Sequence, residues 1–249
     1  YYIPSFILKT VVELYYLAQY NTVINLIDNI LESKSRLDED LIREFRYWLC
    51  LSLARMKSDR FEDVVKHIDG SDYYFLTGFA NRFLKNFDRA EKSFEIAIKK
   101  NPNSQKAKRE LVTIHLLKRE YQKALALSKE NFESSPFNAL HIQAYFICLI
   151  RKQLISYEDR ENLKKLIHNI DRSLDIKAKE IKDVMNAEYA FYVEKDFSRA
   201  LLLLGECQKK HRNQYYAYRA LEDIYTRNNL YKPLNDIRVN MAKIENDFE

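Results

Sequence analysis

Glycine and proline are nearly missing from this sequence, with three and four residues in 249. Hairpins, strand turns and glycine-rich phosphate loops draw on these residues for positive φ or a fixed kink. Their scarcity excludes β-rich folds, P-loops and dinucleotide fingerprints as readings of this segment. Cysteine is equally scarce: Cys50, Cys148 and Cys207 are odd in number and each lies in an apolar run. That excludes a disulfide framework and points to reduced, buried thiols in a reducing, cytoplasmic setting. No apolar run is long enough to span a bilayer and no signal peptide opens the chain, so no membrane partner is expected.

Catalytic motifs are absent as well. None of the five histidines, His67, His115, His141, His168 and His211, stands in an H-E-x-x-H setting or forms a pair four residues apart. No metal and no cofactor is expected, and His115 reads as a packed core residue. No serine lies in G-x-S-x-G, and no cysteine has the sequence context of a nucleophile. Glu39, Asp40, Glu158 and Asp159 sit near helix starts, where the helix dipole accounts for them without catalysis. The segment reads as non-enzymatic. It begins Tyr1, Tyr2, Ile3, Pro4 without an initiator Met, which reads as a piece of a longer protein. Any fused catalytic domain is therefore expected outside these residues. Charge of one sign is also missing, because 41 basic residues face 36 acidic ones for a net +5. The densest basic stretch, Lys99 to Lys129, is spread over several helical faces and reads as solvated surface, so nucleic acid is not expected as a partner.

What is present is a mixture of Leu, Lys, Glu, Ala, Ile, Asn and Tyr, apolar and charged at short range, as amphipathic helices require. An aromatic residue followed three positions later by a small or apolar one recurs along the chain: Tyr20 and Val23, Phe61 and Val64, Phe87 and Ala90, Tyr121 and Ala124, Phe197 and Ala200, Tyr231 and Leu234. Phe87 to Tyr121, Phe197 to Tyr231, and Pro102 to Pro136 are each 34 residues apart, the period of tetratricopeptide repeats. The clearest unit, 71–104, carries Tyr74, Gly78, Phe87, Ala90, Phe94, Ala97 and Pro102 at the offsets of that family's signature. Gly78, Ala90 and Ala97 let two helices approach closely, Phe94 fills the space between them, and Pro102 ends the second helix. The following unit, 105–138, keeps Leu111, Tyr121, Ala124 and Pro136 but has Val112 in place of the glycine. An earlier one offers Trp48, Leu51, Phe61 and Val64.

The chain thus resembles the tetratricopeptide repeat family. The expected fold is all-α, a right-handed superhelical α-α solenoid of about seven helix pairs forming one domain over 1–249. The pairs fall near 4–33, 38–70, 71–103, 104–136, 138–175, 176–211 and 213–247. Two spacings break the period. Phe61 to Phe87 is too short, so the second helix of that pair must stop near Gly70. Tyr121 to Phe197 is too long, which leaves 139–175 as a degenerate pair whose second helix lacks the aromatic-small motif. Asp38 and Asn138 stand where N-caps are expected.

The same resemblance implies a concave groove lined by the first helix of each pair. Carried over by position, the groove residues are Phe75, Phe79, Arg82 and Phe83, then Arg109, Thr113 and Leu116, then Gln143, Ile147 and Arg151, and then Met185, Tyr189, Tyr192, Tyr216 and Arg219. Close superhelical packing is the competing reading for Phe79 and Phe83. Aromatic residues with arginine match the composition of interface hot spots. The family's clamp for acidic C-terminal tails needs Lys and Asn where this chain has Phe75, Phe79, Arg109 and Thr113, so a protein or peptide partner of apolar or mixed character is expected instead. The bulky, tyrosine-rich, degenerate repeats also resemble the C-terminal sensor arrays of bacterial STAND-type NTPases, some of which recognise viral proteins in antiphage defence. That resemblance implies a ligand-sensing region; the alternative is a stand-alone adaptor or assembly chaperone holding subunits of a complex.

Overall fold

The computed structural model describes residues 2–33, 37–152, 154–175, 177–211 and 215–246. The expected pair limits at Ile176, Asn213 and Asp247, like Tyr1, lie outside the described residues. Among those described, the chain forms fourteen α-helices and no strand. They are α1 (Tyr2–Tyr16), α2 (Tyr20–Glu32), α3 (Glu39–Met56), α4 (Phe61–Val65), α5 (Gly70–Phe83), α6 (Phe87–Lys100), α7 (Gln105–Leu117), α8 (Tyr121–Ser134), α9 (Ala139–Ile150), α10 (Tyr157–Asn169), α11 (Ala178–Tyr189), α12 (Phe197–Lys210), α13 (Tyr215–Arg227) and α14 (Tyr231–Asn246). A 3₁₀ turn, Ile170–Arg172, follows α10, and a π-helical turn, Ala190–Glu194, follows α11. No described helix is long and apolar enough to cross a membrane.

The 34-residue period expected from sequence reappears in the backbone. Lys85 and Arg119, and again Lys195 and Asn229, adopt positive φ one period apart, each two residues before an aromatic that opens the next helix. Ala18 does the same before Tyr20. The peptide N–H groups of Gln19, Ser58, Asn86, Glu120 and Leu230 each reach back to the carbonyl five residues earlier, at 2.8–3.0 Å. This bond closes a helix end with a left-handed residue and reverses the chain in the fewest residues. At Asp196 the bond reaches one residue further, to Ala190, because the π turn inserts an extra residue. The degenerate pair starts its second helix with a capping box, in which Ser156 and Asp159 exchange side-chain-to-backbone bonds. Asp38 caps α3 through Leu41 N–H at 2.7 Å, and Asn138 caps α9 through Leu140 and His141. The shortened fourth helix is also present: α4 has five residues, and Gly70, at φ +66, supplies the turn into α5.

The chain divides into two compact units, one up to Ile114 together with the segment from Ala242, and one over His115–Met241. In the first, α1 packs on α2 and α3, α3 on α2, α4 and α5, and α5 on α6, so α1 and α3 each touch their partner and the next leading helix. The α5–α6 contact is set by Gly78. A Cβ built there would lie 2.9 Å from the ring of Phe94, which is fully buried and has nowhere to swing. Ala90, Phe94 and Ala97 recur on one face of α6 and are buried there. In the second unit α11 lies between two cores, one with Ile142, Phe146, Leu163 and Met185 and one with Leu204, Ala217 and Ile224.

The two helical glycines give opposite expectations. Alanine is favoured over glycine in a helix by about 0.5–1 kcal/mol. Gly205 has no atom within 4 Å of its would-be Cβ, so Gly205→Ala should raise the unfolding free energy by about that amount. Gly78→Ala should lower it by about 1 kcal/mol or more, because overpacking against Phe94 outweighs propensity. Urea denaturation of the two variants reads the signs directly.

Candidate interaction surface

In the first unit α3, α5 and α7 bring aromatic rings and cations into one ladder. Tyr47, Phe75, Phe79 and Phe83 follow each other at centroid distances of 6.3, 6.0 and 5.0 Å. The spacing of the three phenylalanines, four residues apart on α5, stacks them along one face. Cations hold both ends. Lys106 lies 4.3 Å from the Tyr47 centroid and 4.9 Å from that of Phe75, donates to the Tyr47 hydroxyl at 3.0 Å and pairs with Asp72 at 2.7 Å. At the other end the Arg82 guanidinium sits 4.5 Å from the Phe83 ring centroid and that of Arg55 4.7 Å from it. Guanidinium groups over ring faces are attracted by the ring quadrupole, the more so where water is thinned out. Arg82 also pairs with Glu110 at 3.1 Å, while its Nε is buried without a hydrogen-bond partner. Burial, and after it the Asp72 carboxylate, push the Tyr47 phenol above its ordinary range.

The residues expected to form the groove divide on this evidence. Phe75 and Phe79 are each 4 % exposed, so their rings belong to the core. The tight packing weighed for Phe79 is what the structure shows, and Phe75 shares it, because neighbouring helices supply Tyr47, Arg55 and Lys106 to cover them. Arg82, Phe83, Arg109 and Thr113 are half-buried and keep an open edge. Thr113 bonds back to the Arg109 carbonyl at 3.2 Å.

In the second unit Tyr192 is buried and donates its hydroxyl hydrogen bond to Asp223. Asp223 pairs with Arg151 at 3.0 Å and with Arg227 at 3.2 Å, and both guanidinium groups lie near the Tyr192 ring, at 5.3 and 5.2 Å. Glu188 is buried close by, and burial first, then Asp223, raise its carboxyl to about 7 against the pull of Arg151. Tyr189 does not join this group. It lines a separate cavity of about 530 Å³ with Lys164, Ile167, Lys182, Asn186 and Leu203. Regular helix would stack residues 189 and 192 on one face; the π turn that begins at Ala190 has more residues per turn and separates them. Gln143 is half-buried on α9, Arg219 is exposed and paired with Glu222 at 2.8 Å, and Met185 is fully buried.

Tyr47, Arg55, Lys106, Asp223 and Arg227 were not anticipated from sequence as part of these clusters. Asp223 and Arg227, opposite charges four apart on one helix, carried a readable signal. Arg55 carried none, because what places it is the distant aromatic pair Tyr15 and Phe83.

These features define an all-helical repeat protein built of neighbouring helix pairs. No family model matches the chain, and no curated protein matches it. Among solved structures it is similar, over 96 % of its length, to a chain in the structure of Naa15/Naa10 bound to HypK-THB, at 17 % identity and a TM-score of 0.41. The match spans 37 % of that chain.

Proposed function

We propose that this chain is a non-enzymatic protein-interaction module, a single repeat array whose clearest units are 71–104 and 105–138. It captures a polypeptide on the face carrying Arg82, Phe83, Arg109 and Thr113. The observation that carries the reading is the half-buried Arg82 and Phe83 edge, where the guanidinium groups of Arg82 and Arg55 both lie against the Phe83 ring. A ligand fitting it offers an apolar side chain to Phe83 and a carbonyl or carboxylate oxygen to Arg82, a combination matching the aromatic-arginine composition of hot spots.

Arg82→Ala combined with Phe83→Ala is expected to weaken partner capture at least about tenfold, the loss of a single hot spot. The double variant also loses stability, because buried Glu110 is left without its cation, so capture is compared well below the variant's own melting temperature. A photo-crosslinker at position 83 should trap the partner and one at Leu202, which is 61 % exposed on α12, should not. Equal trapping at both positions, or undiminished capture by the double variant, would defeat the assignment. At a finer level the array is the ligand-sensing region of a bacterial STAND-type NTPase, on the strength of its bulky, tyrosine-rich repeats. A nucleotide-binding region in the reading frame upstream of Tyr1 supports that role. An early start codon there favours the adaptor instead.

A further inference from the structure

The pair α11–α12 brings together three side chains, Asp183, Cys207 and His211, that none of the foregoing uses. Glu180 and Asp183 lie three residues apart on one face of α11. Cys207 lies in the last turn of α12, and His211 is the extended residue that caps that helix, its N–H donating to the Cys207 carbonyl at 3.0 Å. The two helices pack against each other. One ligating atom each from Asp183, Cys207 and His211 falls within 4.8 Å of the others, and His211 Nε2 stands 2.8 Å from Asp183 Oδ2. Glu180 is 5 % exposed, and its Oε1 has no hydrogen-bond partner. Its charge acts on both His211 and Cys207.

From this convergence we infer that Asp183, Cys207 and His211 form a three-residue binding site for a divalent metal of the zinc class, its fourth position open to water. A thiolate with an imidazole and a carboxylate selects zinc over magnesium or calcium, which take oxygen alone. In a tetrahedral zinc site the imidazole nitrogen and carboxylate oxygen stand about 3.3 Å apart, so loading widens the His211–Asp183 contact by about half an ångström. Two cations face the site. Lys210 lies 2.8 Å from the same Asp183 oxygen, but its side chain is 61 % exposed and turns outward readily; Lys177 acts on Glu180. Metal binding releases the Cys207 thiol proton to solvent. The bound ion joins the two helices of one pair, so its binding free energy adds to the stability of that pair. The site was not visible in sequence because its halves lie on different helices and neither half matches a known motif.

The full chain, stripped with a chelator and titrated with Co²⁺, should develop a near-ultraviolet thiolate-to-cobalt charge-transfer band that saturates at one equivalent and is displaced by Zn²⁺. Cys207→Ser should lose the band, and Cys148→Ser, a buried thiol elsewhere in the same unit, should keep it. Should Cys207→Ser fail to fold, His211→Gln decides: it should bind zinc about a hundredfold or more weakly, and its melting temperature should no longer rise with zinc. Magnesium should produce no shift. A parent chain without the band overturns the inference, as does a band that survives in Cys207→Ser or zinc affinity unchanged in His211→Gln.

Discussion

Phe94→Ala is expected to lower the unfolding free energy by about 3–5 kcal/mol, the range for deleting a buried aromatic ring. Phe94 is fully buried, lies 5.9 Å from the Phe75 ring and fills the space that Gly78 leaves open. The surrounding helices meet through small residues, Ala90 and Ala97 on α6 and Gly78 and Ala80 on α5, which have no bulk to move into the void. Ile96→Ala, on the same helix but 40 % exposed, should lose well under half as much. The pair also predicts a reversal of sign. Gly78→Ala destabilises the parent, but in a Phe94→Ala background the obstructing ring is gone, and only the helix-propensity gain of about 0.5–1 kcal/mol remains. Urea denaturation of the two singles and the double measures the coupling. Additive effects would mean that the two residues do not meet.

Glu188→Gln should stabilise the protein at pH 8 and flatten its stability in mildly acidic solution. An unfolded glutamate ionises near 4.5, whereas burial holds the Glu188 carboxyl to about 7. Between those values the native state keeps a proton that the unfolded chain has released, so stability falls as pH rises. The contribution is complete below about 4.5 and gone above about 7, a difference on the order of 3 kcal/mol for a gap of that size. Arg151 opposes the shift and Asp223 adds to it, which makes the direction a property of the whole cluster. Denaturation midpoints at several pH values for parent and variant give the slope. A variant less stable than the parent at pH 8 would show Glu188 acting as a needed anion there. Glu180, also raised to about 7 by burial, supplies a second slope of the same sign that the variant retains.

The turns show how much of this fold was legible in the sequence. Phe87, Tyr121, Phe197 and Tyr231 announced their helices because the reversal before each is closed by bonds between near neighbours along the chain. Asp38 and Asn138 were legible as caps for the same reason, and Gly78 as a point of close approach because its neighbour Phe94 follows at the family's offset. The left-handed residues were not: Lys85, Arg119 and Lys195 have no preference for positive φ, and the turn geometry imposes it on them. The exposure of the candidate residues was not legible. Phe75 and Phe79 share a face of α5 with half-buried Phe83 and are nonetheless covered.

The chain by itself determined its helices, their period and the reversals within most pairs, since hydrogen bonding and i, i+4 spacing act over a few residues. Only the tertiary structure decided which of those faces stay open. Burial depends on what remote helices bring: Arg55 and Lys106 over the α5 rings, Arg151 and Arg227 about Tyr192, Cys207 and His211 beside Asp183. The π turn after α11 was not legible either: its wider winding separates Tyr192, in the Asp223 cluster, from Tyr189.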